Sequence, residues 1–296
     1  MTEPAIEKIG LDFEAIAQKD KQRAGVRTVA TLIAAVVAAL WMVPFYYLLV
    51  TVFKSSAEYG SGNPLALPKS LSPIIGNVIE AWNDARLDYG MMNSAIYGVT
   101  GAGIAVLLAS SAAFGLSRFQ YSSRTFWFLL IFSGTIFPFQ MYLIPLFFTF
   151  QKIGLLNTRL GMILFYTAIC IPFPVLVLKN HMSQLNPEMD EAARMDGASD
   201  LRVFLSIILP NSIGPMVALF LLQFTWIWND LLFSTVLGNK PEIRSVMNAL
   251  QVFQGSYTQS GPNLLLTGSL LASLPTIGLF FFTRKQFMAG LGLNPH

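Results

Sequence analysis

Few side chains in this sequence are equipped for bond-making chemistry. Two histidines, His181 and His296, and one cysteine, Cys170, leave no cluster with the spacing of a structural zinc site. The same scarcity leaves Ser-His-Asp catalysis unsupported, and His181, at the inner end of an apolar run, reads as a surface histidine. No G-x-x-x-x-G-K-[ST] sequence occurs, so nothing cradles nucleotide phosphates in the P-loop manner and the chain is not itself an ATPase. One carboxylate stands out. Asp230 is attached to the outer end of an apolar run, with Trp226, Trp228 and Asn229 beside it. Ionised groups at membrane depth are costly and normally face a cavity or a partner. Asp230 and Asn229 are therefore candidates for an outer gate or a subunit contact, the plainer reading of Asp230 being an interfacial, solvated carboxylate. Gln223, two turns further in, is a candidate for lining a path. If Asp230 serves a partner rather than packing, Asp230→Ala should lower activity more than assembly.

The other interval with a pattern is polar: Glu191-Ala192-Ala193-Arg194-Met195-Asp196-Gly197, closing at Ile207-Ile208-Leu209-Pro210. Asn186-Pro187-Glu188 predicts a helix start, since Asn caps free N–H groups, Pro tolerates the first turn and Glu favours the positive end. Gly197 predicts its end, because glycine adopts positive φ without a Cβ clash. A bulky residue there should add a clash to the backbone strain. Ser199 or Asp200 then caps a second helix running toward Pro210. The expected product is a bent helix pair between two apolar runs.

Composition shows what those runs are. With 54% hydrophobic and 12% charged residues, 296 residues do not make a soluble domain. Six uncharged runs, at 28–53, 89–117, 125–151, 160–178, 203–229 and 264–283, reach the roughly 18 residues expected of a spanning helix. Continuous rather than alternating hydrophobicity favours helices over a barrel. The expected fold is thus an all-α integral membrane protein with six transmembrane helices. Its parts are a cytoplasmic N-terminal segment (1–27), the six-span domain (28–283) containing the polar loop (186–210), and a cytoplasmic tail (284–296). With both termini inside, twelve of the nineteen Lys and Arg residues lie on the cytoplasmic side and seven outside. The same choice puts the Glu191 loop inside. A sequence pI near 9.0 follows from these loop charges and a lipid surface, and needs no nucleic acid. Cys170 reads as packing. A polar leader precedes an apolar run too long for a signal core, so no cleavable signal is expected.

Within the leader, Ile9, Phe13 and Ile16 at helical spacing suit an interfacial helix or a partly disordered tail. The outer loop from Lys54 to Asp88 is too rich in Pro and Gly for a long helix, and suits either a landing surface or a passive connector. Gly98, Gly101, Gly103, Ala105, Ala109 and Ala113 make the second run a helix suited to close packing. Pro138 and Pro145 lie within the third, and Pro172 and Pro174 within the fourth. The backbone groups freed there need polar neighbours, a lumen or water, or the prolines are mere kinks.

These features together resemble a known family. Glu191, Ala192, Ala193, Gly197, Ile207, Leu209 and Pro210 match the EAA loop of ABC importer permeases at each defined position. Gly154-Leu155-Leu156-Asn157-Thr158 is similar to the GL-x-N-T segment of the carbohydrate branch. Trp228-Asn229-Asp230 resembles its W-N-D signature, and Arg284 to Leu291 the end of MalG-type subunits. The likeness extends from about Trp41 onward, although MalG-type chains usually continue to a final basic Lys-Gly where this one stops at His296. The resemblance implies a type I ABC importer permease: the Glu191 loop docks on a cytoplasmic ATPase, and transport proceeds by alternating access. Implied partners are a second, homologous MalF-like permease, two ABC ATPase subunits and a solute-binding protein outside. ATP and Mg would belong to the ATPase subunits, with no cofactor in this chain. A sugar or oligosaccharide, neutral or uronate, is the implied cargo, glycerol phosphate or another small solute being an alternative. An ion-coupled secondary transporter would want intramembrane carboxylates or an inverted repeat, and a membrane enzyme would want clustered catalytic residues.

Overall fold

The structure, a computed structural model, describes residues 3–254 and 261–290, with side chains for 27–254, 261–281 and 283. Among the described residues every regular element is a helix. Among those residues three helices are long and apolar enough to cross a membrane unbroken: Arg27–Val52, Leu87–Arg118 and Pro262–Phe281. The first belongs to a helix that begins at Glu3 and continues through Arg27 without interruption, so the backbone of the leader is helical. Its Ile9, Phe13 and Ile16 side chains lie outside the described residues, as does the tail from Leu291 to His296.

Three of the expected runs are broken. The fourth is a pair, Arg159–Cys170 and Pro172–Gln184, bent by 42°. Pro172 and Pro174 lie in the first turn of the second piece, where their missing N–H groups cost least. The fifth run differs from its expected extent of 203–229. Asp200–Asn211 belongs to the polar loop, and the chain turns by 73° before the apolar helix Ile213–Trp228. Pro210 accounts for the turn: having no N–H, it cannot bond the Ser206 carbonyl. The preceding turn widens into a π-helix over Phe204–Ile208, with Leu209 N–H reaching back to the Phe204 carbonyl. The run at 125–151 is not one span in the structure. It divides into Arg124–Ser133, a 3-10 turn at Phe139–Tyr142, and Leu143–Lys152. Pro138 cannot continue a helix and biases Phe137 toward an extended backbone, which separates the pieces.

The second span, Leu87–Arg118, is the centre of the bundle, with both halves of the fourth run and the fifth helix packed around it. Its small residues explain this. A Cβ on Gly98 would lie 2.7 Å from the Phe224 ring, and one on Gly101 would lie 3.0 Å from the Tyr166 Cβ. Only glycine lets those helices come so close, and in a lipid solvent such contact replaces the hydrophobic driving force. Two apolar clusters result, one around Tyr97, Tyr166, Phe224 and Trp228, the other around Phe114, Leu178, Val203 and Ile208 on the side of the polar loop. Cys170 is buried in the first.

Candidate functional site

The polar loop is built as a capped helix, a left-handed turn and a second capped helix. Asn186 Oδ1 accepts the Glu188 N–H at 3.1 Å, and the helix runs Glu188–Met195. Gly197 has φ +84°, its N–H bonds the Arg194 carbonyl, and the Ala198 N–H bonds the Ala193 carbonyl. This is the paired hydrogen-bond pattern of a Schellman turn. A Cβ at Gly197 would meet nothing within 4 Å, so the expected steric clash is absent and the glycine is required by backbone conformation alone. Ser199, not Asp200, caps the second helix, accepting the Arg202 N–H. Asp200 instead takes an exposed ion pair with Arg194 at 3.0 Å, joining the two halves of the loop.

Glu191, Ala192 and Gly197 are exposed, while Ala193 is half-buried against the cluster that contains Phe114. Beside them Met195 is 88% exposed and Leu201 66%, with Leu205 also at the surface. The loop thus presents an apolar face flanked by a carboxylate. Ile207 and Leu209 pack inward on the same cluster and Pro210 is exposed. Their task is to make the bend rather than to offer a surface. His181 lies half-buried at this base, its Nε2 3.2 Å from the Asn211 carbonyl.

Composition and spacing alone did not single out Asp190 or its pairing with Arg118, the last residue of the second span. Asp190, one residue before the Glu191 motif, is buried and forms an ion pair with Arg118 at 2.6 Å, while Arg118 Nη2 donates to the Leu185 carbonyl. The available signal was helical periodicity: Asp190 lies three residues before Ala193, on the inward face.

At the other end, Asp230 accepts three hydrogen bonds: the Tyr166 hydroxyl at 2.8 Å, and the N–H groups of Phe233 and Ser234. It therefore caps the short helix Leu232–Leu237 as well as facing Tyr166, and is neither free nor fully solvated. Asn229 is exposed and donates to the Thr225 carbonyl. Both line a cavity of about 710 Å³ between the fifth and last helices, with Trp226 and Thr276. Gln223 lies instead on an adjoining cavity of about 400 Å³ with Thr135, Phe139, Cys170 and Phe173, where the third and fourth runs break. Trp226 and Leu222 line both cavities. Gln223 is 9% exposed, and no hydrogen bond to its amide is present among the described residues.

The Gly154 to Thr158 segment has a structural purpose at each polar or glycine position. Gly154 and Asn157 both have positive φ, 73° and 57°. Asn157 Oδ1 accepts the N–H groups of Asn239 and Lys240, and its own N–H bonds the Leu237 carbonyl, which fastens the outer segment after the fifth helix. Thr158 caps the helix that begins at Arg159. Asn93 and Tyr97 of the second span hold the next carbonyls of that outer segment, those of Glu242, Arg244 and Ile243. Burial and then the Arg86 charge push the Arg244 guanidinium's pKa down, Glu242 opposing them.

Comparison with known proteins agrees with this geometry. Residues 101–286, more than half the chain, match the family described as "Binding-protein-dependent transport system inner membrane component". The diacetylchitobiose uptake system permease NgcG of Streptomyces coelicolor is 33% identical over 93% of this chain and 89% of its own. The melibiose/raffinose/stachyose import permease MelC of Bacillus subtilis is 31% identical over 89% and 94%. A chain from the crystal structure of a bacterial ABC transporter that imports the acidic polysaccharide alginate superposes with a TM-score of 0.74. At 21% identity it covers 88% of this chain and 95% of that one, which shows a shared fold. The chain belongs to the family of inner-membrane permease components of binding-protein-dependent ABC importers.

Proposed function

We propose that this permease imports a sugar or oligosaccharide, neutral or uronate, and that it works beside a second, homologous permease subunit above two ABC ATPase subunits. The exposed face of the Glu191 loop carries the reading. Met195, Leu201 and Ala192 beside Glu191 suit insertion in a groove on an ATPase, and the Schellman turn at Gly197 holds the two loop helices at a fixed angle. ATP and Mg bind to the ATPase subunits, and this chain holds no cofactor. Both termini and the loop lie in the cytoplasm, and the solute-binding protein delivers cargo on the side of the Asn157 turn. Membership of the family and relatives named for oligosaccharide uptake support the cargo class.

Asn229, Asp230 and Gln223 line the path on this subunit's side. The breaks in the third and fourth runs support this, because irregular backbone at membrane depth is tolerated where it meets protein or a water-filled cavity, and here a cavity adjoins them. In the proposed cycle, ATP closes the ATPase dimer, the loop moves with it and the spans swing between inward-open and outward-open states.

The test is a complex in proteoliposomes with its binding protein and a panel of neutral and uronate oligosaccharides, with ATP hydrolysis and uptake measured side by side. Glu191→Ala should weaken ATPase attachment or the ratio of uptake to hydrolysis. An unchanged ratio and unchanged attachment would remove the docking role from this loop.

A further inference from the structure

We propose that the buried Arg118–Asp190 ion pair is the strut that makes the second span move with the Glu191 loop. The proposal rests on the reading of that loop as the ATPase contact, and it makes Arg118 and Asp190 positioning residues rather than contacts of ATPase or cargo.

Arg118 is the last residue of the helix Leu87–Arg118, and Asp190 lies in the first turn of Glu188–Met195. Each charge complements the dipole of its own helix end. Their side chains are 7% and 3% exposed, and the Nε to Oδ2 separation is 2.6 Å. The contact is close without hydrogen-bond alignment, and Asp190 Oδ1 has no hydrogen-bond partner among the described residues. The attraction is therefore mainly coulombic, and each ion depends on the other.

Such a pair is poorly explained as a source of stability, because apolar residues of similar volume commonly do as well. What it provides is resistance to separation, since parting the ions would leave an uncompensated charge in an apolar setting. The neighbouring contacts lack that property. Ala193 and Ala198 touch the Phe114 cluster through small side chains, and Val203, Phe204 and Ile208 pack on it from the second half of the loop, but apolar contacts of this kind strand no charge when they shift. The Arg194–Asp200 pair is exposed and ties the loop to itself, and among the described residues no other ion pair links the Glu188–Met195 helix to a span.

The chain already connects this loop to the fourth run through Leu185 and to the fifth through Ser212. Neither connection reaches the second span, which Phe204 touches through its ring contact with Phe114, and to that apolar contact the ion pair adds a charged tie from the first loop helix. Because the fourth and fifth helices close on Gly98 and Gly101 of that span, carrying it carries the bundle core. The loop, the second span and the helices around it then form one rigid body.

The experiment uses the full complex in nanodiscs, in a Cys170→Ser background, with spin labels at Met189→Cys and Gln120→Cys. Both native side chains are exposed, one on the loop helix away from the residues assigned to the ATPase contact and one just past the second span. Distances are measured without nucleotide and after trapping with ATP and vanadate, and a second pair, Met189→Cys with Glu242→Cys, reports opening. In the otherwise native complex the Met189–Gln120 distance should stay narrow and unchanged while the second pair moves. With Asp190→Asn the first distance should broaden and shift on trapping, and the trapped outward-open fraction should fall by roughly 3- to 30-fold. The charge swap Arg118→Asp with Asp190→Arg should restore both. A narrow, nucleotide-independent distance in Asp190→Asn overturns the strut. If that variant fails to assemble, Arg118→Met with Asp190→Leu keeps the site filled without charge, and a narrow distance there overturns it equally. ATPase co-purification is followed throughout: retention by Asp190→Asn leaves the docking reading intact whatever the distances show, and its absence from the native complex defeats both.

Discussion

Asp230 illustrates how one side chain joins structure to transport. Asp230→Ala strands the Tyr166 hydroxyl and uncaps the helix Leu232–Leu237. Losing a cap and leaving a buried hydroxyl unpaired together cost about 2–4 kcal/mol. We therefore expect Asp230→Ala to lower the thermal stability and assembly of the purified complex along with uptake, which differs from the sequence-based expectation of a loss mainly in uptake. Asp230→Asn keeps an acceptor for Tyr166 and should assemble normally, so uptake by this variant isolates the contribution of the charge. Wild-type uptake by Asp230→Asn would assign the residue to capping alone. Gly197 separates backbone from bulk. Since a Cβ there meets open space, Gly197→Ala should cost the loop about 1 kcal/mol of left-handed strain. Gly197→Val should cost somewhat more through its branched side chain and not through collision. Hydrogen exchange over residues 188–203 reads this directly, and indistinguishable protection in the two variants and wild type would contradict it.

At the scale of elements, legibility followed the range of the interactions. The turn at Gly197, a cap at Ser199 or Asp200 and the close packing of the second span depend on residue type within a few positions, and each could be read from the chain, the choice of Ser199 coming only from the structure. The Arg118–Asp190 pair joins residues far apart in sequence, each of which resembles an ordinary solvated charge until the helices are in place. The division of the run at 125–151 was concealed because hydrophobicity continues through Gly134 to Pro138 although the helix does not. Asn157 carried a signal for a tight turn, but not for its grip on Asn239 and Lys240. We expect Asn157→Ala to lose the oxygen that accepts both N–H groups and a residue type that tolerates φ of 57°, destabilising the outer segment by about 1–3 kcal/mol. Limited proteolysis between Gly238 and Glu242 would detect the release, and wild-type resistance would argue against the anchor.

For the whole molecule, the proposed orientation places the Glu191 loop and the outer segment on opposite faces. With Cys170 replaced, an impermeant maleimide should label Glu242→Cys but not Ser199→Cys in intact cells, and the reverse pattern would invert the topology. The second span also imposes an order on the birth of this protein. Gly98 and Gly101 leave the ribosome long before Tyr166 and Phe224, the residues that later fill the hollows they create. Until Phe224 has been synthesised, that helix waits in lipid with its thinnest backbone uncovered and its polar Asn93, Ser94 and Ser110 without the packing that buries them in the finished fold. Chains stalled before residue 224 should accordingly be short-lived, and membrane quality-control proteases should find them through a helix whose suitability for the finished bundle makes it a poor guest of the bilayer.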